Sequence, residues 1–174
     1  PKDQSDELRP LGIPNMIDRG LQALTLMCLD PIVEELSDVY SFGFRKYRNT
    51  GNAIQRIRTI LDKPNGPRWV WDVDIEKCFD KISHKFLEEE TRLITCPKAH
   101  DYILKWLKAP IIDKGIKTFP SEGTPQGGIL SPLLCNIALN GLENAVRDGL
   151  PSPNSSEGRK LRGSWVIRYA DDFI

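Results

Sequence analysis

Two adjacent carboxylates near the end of the sequence are the first candidates for chemistry. Asp171 and Asp172 follow an apolar, β-favouring run that begins at Val166, and apolar residues resume at Phe173. This pattern predicts a strand, a tight turn that holds both aspartates, and the first residues of a returning strand. Two neighbouring carboxylates repel each other, so a divalent cation with hard oxygen ligands, Mg²⁺ above all, suits that position. The alternative for an Asp-Asp pair taken alone is a solvated acidic turn.

A third carboxylate, Asp74, lies near the end of an apolar segment in the middle of the sequence. The segment from Trp69 to Ile75 is predicted to be a strand, with Asp72 and Asp74 on one face. Phosphoryl transfer with two metal ions needs carboxylates that bridge ions about 3.5–4 Å apart. It needs no histidine base, which agrees with a chain that contains 2 histidines. The aspartates together therefore favour metal-dependent phosphoryl transfer.

Composition limits the class of protein that can position these groups. A length of 174 residues allows one ordinary domain with a core or two small subdomains. The 24 basic residues balance the 24 acidic ones, so a nucleic-acid partner must be held by local basic patches. The 4 cysteines form no CxxC pair, which disfavours a zinc site or a disulfide framework and favours a reducing compartment. No apolar run approaches the roughly 18 residues that a membrane span requires.

Two segments have compositions that suit contact with a nucleic acid or nucleotide. Residues 41–48 alternate aromatic and basic side chains, which suits phosphate contacts and base stacking. The alternative is a loop whose rings anchor it to the core. Residues 122–132 are rich in glycine, so the backbone can approach a ligand closely, although a purely structural turn is the alternative there.

Helical periodicity predicts the elements that carry these segments. The first helix is expected from about Asp18 as N-cap, with Leu21, Leu24 and Cys28 on one face and a break or kink at Pro31. Three more helices are predicted after the caps at Asn49–Asn52, from Ser83 to about Ile94, and around Tyr102–Lys108. A long helix with Ser131 as N-cap and a polar stripe of Asn136, Asn140 and Glu143 should follow the glycine-rich segment.

Five segments in this order resemble the conserved motifs of the reverse transcriptases encoded by group II introns. Two are similar to that family's first blocks and three to its polymerase A, B and C motifs. They are Arg9–Pro14, Ser41–Arg45, Asp74–Asp80, Gly123–Gly128 with Leu130–Pro132, and Tyr169–Asp172. The resemblance implies an α+β fold of polymerase fingers and palm, with an antiparallel palm sheet backed by helices. Residues 1–174 would form a reverse transcriptase domain that stops after the C motif, and residues 149–163, rich in Pro, Ser and Gly, a mobile insertion loop.

The resemblance also implies which residues bind the metal ions. Asp74, Asp171 and Asp172 would be the catalytic carboxylates and the metal ligands, and the backbone carbonyl of Ile75 would complete the shell of one ion. The cofactor would be two Mg²⁺ ions, with Mn²⁺ as a substitute.

Contacts to the nucleotide and the template–primer follow from the same resemblance. Phe79 would be the steric gate that excludes a ribose 2′-hydroxyl, and Gln126 would contact the incoming nucleotide. Lys2 and Arg9 match the pair that grips the triphosphate in retroviral relatives, where positive charge offsets the phosphates. The expected template–primer contacts are Phe42, Gly43, Phe44, Arg45, Gly127 and Gly128.

The implied function is that of an RNA-directed DNA polymerase that also helps its intron RNA splice. Its partners would be an RNA template, the intron RNA, a DNA primer and deoxynucleoside triphosphates, with no membrane; the oligomeric state, a dimer included, is left open. An intracellular location, in a bacterial cytoplasm or an organelle matrix, is expected. The sequence contains no primer-grip, thumb or maturase segment, so this chain alone is expected to polymerise weakly or not at all.

Two alternatives to this function stay open at the level of sequence. One is a non-catalytic RNA-binding protein that keeps the fold for splicing or as a structural subunit. The other is a related reverse transcriptase in a defence, diversity-generating or CRISPR-associated setting. The complete set of Asp74, Asp171, Asp172, Phe79 and Gln126 favours an enzyme, because a binding role does not require a whole metal site.

Overall fold

Helices form most of the regular structure. The computed structural model describes residues 12–64, 66–67, 69–113, 115–125, 127–149 and 165–174. Its helices are α1 (Met16–Leu36), α2 (Thr50–Leu61), α3 (Cys78–Lys81), α4 (His84–Ile94), α5 (Pro97–Leu107), α6 (Ser131–Ala138) and α7 (Leu142–Asp148). Within these ranges, no helix combines the length and the apolar character that crossing a bilayer would take.

Short antiparallel strands complete the fold. They are β1 (Val73–Asp74), β2 (Ile111–Asp113), β3 (Ile116–Thr118), β4 (Arg168–Tyr169) and β5 (Asp172–Phe173). Strand β5 lies between β1 and β4 in one sheet, while β2 and β3 pair as a separate hairpin. This mixture of helices and antiparallel strands agrees with the predicted α+β class. The β2–β3 hairpin is an addition that the sequence patterns did not predict.

Helix α1 starts earlier and runs further than predicted. Its N-cap is Asn15, whose side chain accepts a hydrogen bond from the backbone N–H of Asp18 at 2.9 Å. Asp18 therefore lies in the first turn, where its negative charge is favourable. The helix continues through Pro31 to Leu36, so of the predicted break or kink at the proline the break was wrong.

The buried face of α1 also differs from the prediction. Leu24 and Cys28 are exposed, while Gln22, Leu29 and Val33 are buried. Gln22 is buried because its Oε1 accepts a hydrogen bond from the backbone N–H of Ile129 at 3.0 Å, which joins α1 to the glycine-rich segment before α6. A buried helix face that is predicted from hydrophobic residues alone does not include a buried polar residue such as Gln22.

The predicted long helix after residue 131 is divided into α6 and α7. Gly141, at φ 82°, separates them in the left-handed region that glycine adopts without strain. Ser131 is the first residue of α6, where its hydroxyl donates to the Pro125 carbonyl at 2.8 Å, and Leu130 occupies the N-cap position. Asn136 on the predicted polar stripe is buried, with 1% of its surface exposed.

The predicted strand from Trp69 to Ile75 is paired only at Val73 and Asp74. Trp69 and Trp71 are 85% and 78% exposed, so this segment reaches the sheet only where β5 offers a partner. The prediction of a strand was correct, but the predicted strand was too long.

A hydrophobic core joins α1, α4, α5 and α6. Its buried members are Leu29, Val33, Cys78, Ile82, Leu87, Ile103, Leu107, Leu130, Leu133, Leu134, Cys135 and Ile137. The core includes Cys78 of α3, and Ile75, the residue that follows β1, packs against it. The packing of these helices therefore sets the positions of the A and B motif segments.

Truncating Leu87 tests the core directly. Leu87 has 0% of its surface exposed, so Leu87→Ala is expected to lower the free energy of unfolding by about 2–5 kcal/mol through lost burial and a residual cavity. Leu93→Ala on the same helix, at a side chain that is 76% exposed, should change it by less than about 0.5 kcal/mol. Chemical denaturation measures both values, and equal losses in the two variants would contradict this packing.

Candidate active site

Three aspartates lie together at one end of the β1–β5 pair. Asp74 and Asp172 are direct partners across the antiparallel strands, and directly opposed residues project their side chains from the same face. Asp171 precedes Asp172 in the turn, and its carbonyl accepts a hydrogen bond from the Ile75 N–H at 3.3 Å. We refer to Asp74, Asp171 and Asp172 as the acidic triad. Residues far apart in the sequence are thus adjacent in the fold.

The turn that presents Asp171 adopts an uncommon backbone conformation. Ala170 has φ 59°, a left-handed conformation that non-glycine residues rarely occupy. The turn consists of Ala170 and Asp171, and Asp172 already belongs to β5, so the predicted position of the turn was one residue late. Such a conformation persists only where the surrounding structure determines it. The surroundings of Ala170 therefore help to define the site.

Residues 41–48, predicted to contact the template, divide between the interior, where Ser41, Phe42, Gly43 and Arg45 lie, and the surface, where Phe44, Lys46 and Tyr47 are exposed. Phe42 is 8% exposed and joins a second hydrophobic cluster with Ala53, Ile60 and Ile167. Its N–H donates to the Arg168 carbonyl at 2.9 Å, which attaches the loop to β4. For Phe42, the structure agrees with the alternative interpretation, in which the ring anchors the loop to the core.

Arg45 is also directed inward. It is 8% exposed, and its guanidinium donates to the Glu34 carboxylate and to the carbonyls of Glu34, Asp38 and Ser41. These bonds use all the donors of a guanidinium, so a template phosphate would have to displace one of them. Phe44, in contrast, is 48% exposed. Among the predicted contacts Phe42, Gly43, Phe44 and Arg45, Phe44 is the one that the structure leaves accessible to a ligand, as it does Lys46 and Tyr47 further along the segment.

The ion pair of Glu34 and Arg45 predicts a pH dependence of stability. The hydrogen bond from Arg45, with the charges of Arg45 and Arg48, holds the pKa of Glu34 below its ordinary value. A lowered folded-state pKa contributes stability above the unfolded value of about 4.3, and the contribution is lost as the pH falls through the folded value. Glu34→Gln should therefore destabilise the protein more at pH 7 than at about pH 3.5. Denaturation at both pH values tests this, with Glu35→Gln as the exposed control; a pH-independent difference would contradict it.

The predicted gate residue lies beside the glycine-rich loop. Phe79 on α3 is half-buried, and its ring contacts Phe44 in a T-shaped arrangement with centroids 5.9 Å apart and an interplanar angle of 76°. The Phe79 carbonyl accepts from the Thr124 N–H at 2.7 Å. Next to it, His84 Nε2 lies 2.6 Å from the Gly123 carbonyl. The A and B motif segments are thus in direct contact.

The two predicted glycine contacts differ in accessibility. Gly127 is exposed and has φ 103°, which a side chain would make strained. Gly128 is buried, and a Cβ there would lie 2.6 Å from the Ser131 hydroxyl. Gly127 is therefore open to a ligand, whereas Gly128 is required by internal packing. Lys2, Arg9, Gln126 and most of the predicted mobile loop lie outside the described residues, so their predicted roles stay predictions.

Sequence reasoning did not identify Arg168, a buried cation that bonds to the turn before Asp171. Arg168 is 2% exposed, and its Nη1 donates to the Ala170 carbonyl at 3.1 Å. Burial lowers the pKa of this guanidinium, which nevertheless stays charged in proteins. The available signal was a single cation between Ile167 and Tyr169 in an otherwise apolar strand.

Two buried thiols lie close to the acidic triad. The sulfur atoms of Cys78 and Cys135 are 3.9 Å apart, and the charges of Asp171 and Asp74 act on the Cys78 thiol. The hydrogen bond with Cys78 and burial raise the pKa of Cys135 far above its usual range. Cys135 therefore stays neutral.

The donor chemistry of the triad fits a divalent cation. Carboxylate oxygens are the ligands that Mg²⁺ prefers, and the strand register places two of them on one face with the third in the adjacent turn. Among the described residues, however, no group of three His, Cys, Asp or Glu side chains is gathered in a geometry that would hold a metal ion. The strand register therefore brings the three backbone positions together, while the side chains are not drawn together into a ligand set.

Comparisons with known proteins place this site in a family. Residues 1–174 match the model of the reverse transcriptase (RNA-dependent DNA polymerase) family. The chain is 39% identical over 146 residues to the group II intron-encoded protein LtrA of Lactococcus lactis subsp. cremoris, which covers 83% of this chain and 24% of LtrA. It is 34% identical over 192 residues to the protein YkfC of Escherichia coli K12, covering 97% of this chain and 50% of YkfC.

A third relative comes from yeast. The putative COX1/OXI3 intron 1 protein of Saccharomyces cerevisiae is 35% identical over 155 residues, which covers 88% of this chain and 18% of that protein. The chain thus spans half or less of each of these curated relatives. The predicted resemblance to group II intron proteins is confirmed. The chain belongs to the reverse transcriptase family, with group II intron-encoded proteins among its relatives.

Proposed function

We propose that this chain is the fingers and palm of an RNA-directed DNA polymerase that joins deoxynucleotides by two-metal nucleotidyl transfer. One observation carries the proposal: Asp74 pairs directly with Asp172, and Asp171 lies in the adjoining turn, in a chain of the reverse transcriptase family. We assign the small sheet of β1, β4 and β5 to the palm, with α2 packed against β4.

The acidic triad has the central role in this reaction. Asp74 and Asp171 would hold two Mg²⁺ ions, or Mn²⁺ as a substitute, with Asp172 as the third acid and the Ile75 carbonyl as a further ligand. When bound, the ions lower the pKa of the attacking 3′-hydroxyl and stabilise the pyrophosphate leaving group. The Ile75 N–H, which donates to the Asp171 carbonyl at 3.3 Å, keeps the two ligand-bearing segments in register.

The residues around Phe79 select the nucleotide. The Phe79 ring excludes a sugar that carries a 2′-hydroxyl, and Phe44 supports the ring through their T-shaped contact. The exposed backbone of Gly127 lets the template–primer approach closely. Lys2, Arg9 and Gln126 are assigned to the triphosphate and the incoming base on the motif resemblance alone.

The partners follow from this activity and from the kind of relative that the chain resembles. They are an RNA template, a DNA primer and deoxynucleoside triphosphates, together with an intron RNA whose splicing the protein assists. The name of LtrA, a group II intron-encoded protein, supports the intron partner. An intracellular location in a bacterium or an organelle is part of the same proposal.

Primer extension tests the proposed function. The protein as its gene encodes it should extend a DNA primer on an RNA template when Mg²⁺ and deoxynucleotides are supplied, and should stop when Mg²⁺ is chelated. Residues 1–174 alone should show weak extension or none. If the gene-encoded protein binds the template–primer yet adds no nucleotide with Mg²⁺ or Mn²⁺, the proposed polymerase activity is refuted. The result would then favour the alternative of a non-catalytic RNA-binding protein.

A further inference from the structure

Asn136 on α6 connects two segments that meet at the catalytic turn. It is 1% exposed, its Nδ2 donates to the Gly43 carbonyl at 3.0 Å, and its Oδ1 accepts from Arg168 Nη1 at 3.1 Å. A carbonyl on one side and a guanidinium on the other fix the orientation of the amide, because only one assignment of oxygen and nitrogen satisfies both partners. Asn136 therefore joins the loop that contains Gly43 to β4.

Arg168 extends this connection to the turn itself. The same Nη1 that donates to Asn136 also donates to the Ala170 carbonyl at 3.1 Å. Its Nε and Nη2 have no hydrogen-bond partner among the residues that the structure describes. A buried guanidinium with so few partners is costly to desolvate, so its two Nη1 bonds matter more than they would at the surface.

Gly43 closes the connection from the opposite side. A Cβ built on Gly43 would lie 2.2 Å from the Ala170 nitrogen and 2.9 Å from its Cα, so the loop backbone packs directly against the turn. Gly43, Asn136, Arg168 and Ala170 form a closed ring of contacts, which we call the turn brace. Ala170 has the left-handed φ of 59°, and Asp171 follows it at once. The brace therefore determines the direction in which the Asp171 backbone leaves the turn.

We propose that Asn136 is a positioning residue for Asp171, which acts through Arg168 and Gly43 and touches neither substrate nor metal ion. This inference rests on the proposed function, because it assigns Asn136 to the alignment of a metal-binding carboxylate. Residues that hydrogen-bond a metal ligand commonly contribute 10–100-fold in metal affinity or activity, and Asn136 reaches Asp171 through Arg168 and Ala170. Cys135 and Ile137, the neighbours of Asn136 on α6, belong to the hydrophobic core. Hydrophobic packing therefore does not explain why a polar residue is buried between them.

The variant Asn136→Ala separates positioning from a structural role. In the gene-encoded protein, it should lower kcat for primer extension by about 10–100-fold and raise the Mn²⁺ dissociation constant measured by electron paramagnetic resonance, with the KM for deoxynucleotides little changed. Hydrogen exchange of the peptide that covers residues 166–174 should become faster in the absence of any substrate. Exchange reports the brace even if the protein proves to have no polymerase activity.

The matched control is Thr91→Val. Thr91 is as buried as Asn136, and its hydroxyl donates to the Leu87 carbonyl at 2.6 Å, away from the turn. This variant should lose stability without a change in the exchange of residues 166–174, in Mn²⁺ affinity or in kcat. If Asn136→Ala behaves in the same way, the positioning role is overturned.

A second variant covers the case in which Asn136→Ala does not fold. Asn136→Asp keeps the side-chain volume and the acceptor for Arg168, but it places a carboxylate oxygen against the Gly43 carbonyl. The same faster exchange and weaker Mn²⁺ binding are expected. Wild-type values in Asn136→Asp would overturn the proposal. If the wild-type protein does not extend primers but exchange is faster in the variant, the proposed polymerase activity is refuted, while the role of the turn brace in holding the turn is supported.

Discussion

Asp171→Asn is expected to abolish primer extension, lowering kcat about a thousandfold or more, while template–primer binding persists. Metal ions supply several kcal/mol of charge stabilisation in such a reaction, and each 1.4 kcal/mol is about a factor of ten in rate. An amide is the same size as the carboxylate but has lost the negative charge that the cation requires. Because Asp171 lies in the turn and Asp74 and Asp172 are already paired across the strands, its loss removes one member of the triad without disturbing the pairing.

A matched substitution controls for the loss of a negative charge. Asp148→Asn changes an exposed aspartate at the end of α7 and should leave kcat within about twofold. Primer extension under single-turnover conditions compares the two variants, and gel-shift binding checks that both retain the template–primer. Wild-type activity in Asp171→Asn would remove this residue from the metal site.

Phe79→Ala or Phe79→Val should relax the discrimination against ribonucleotides. The half-buried ring contacts Phe44, with centroids 5.9 Å apart, so in the proposed function it would present a fixed surface to the sugar of the incoming nucleotide. Removing it opens space for a 2′-hydroxyl, and steric selection of this size is worth about 10–100-fold in the ratio of kcat/KM values. The rate of ribonucleotide addition should rise while deoxynucleotide addition falls modestly.

The control for this change is an exposed phenylalanine outside the five motif segments. Phe119, after β3, is 69% exposed, and Phe119→Ala should leave the selectivity unchanged. Single-nucleotide addition with matched deoxy- and ribonucleotides gives the two kcat/KM values for each variant. If selectivity in Phe79→Ala equals that of the wild-type protein, Phe79 does not serve as the gate.

Features determined by neighbouring residues could be predicted from the sequence. Asn49 caps α2 through a reciprocal capping box with Asn52, and Ser83 caps α4 through the Phe86 N–H, as the cap preferences predict. The strand–turn–strand at the end of the chain also forms, since its alternation and turn are local. These predictions succeed because few distant contacts enter them.

Features that depend on distant partners could not be predicted in the same way. The burial of Gln22 depends on the Ile129 N–H, and the short pairing of β1 depends on where β5 ends. Arg45 is basic and lies beside aromatic residues, which suggests a nucleic-acid contact, yet Glu34 and three carbonyls take up its donors. A charge pattern alone does not distinguish a ligand contact from an internal one.

The sequence predicted the motif residues of the candidate site better than the residues that hold them in place. The motif resemblance named Asp74, Asp171 and Asp172, and the strand register brings their backbones together. The supports, Asn136 and Arg168, are single polar residues within apolar segments. Their partners, Gly43 and Ala170, become neighbours only once α6, the 41–43 loop and the turn have packed.

The location of bound metal ions tests the central claim most directly. Crystals of the gene-encoded protein with template–primer, a non-hydrolysable deoxynucleotide and Mn²⁺ would reveal the ions by anomalous scattering. The account predicts two peaks about 3.5–4 Å apart that Asp74 and Asp171 bridge. Ions bound elsewhere, or an Asp74 carboxylate with no ion in contact while nucleotide and primer are in place, would contradict it.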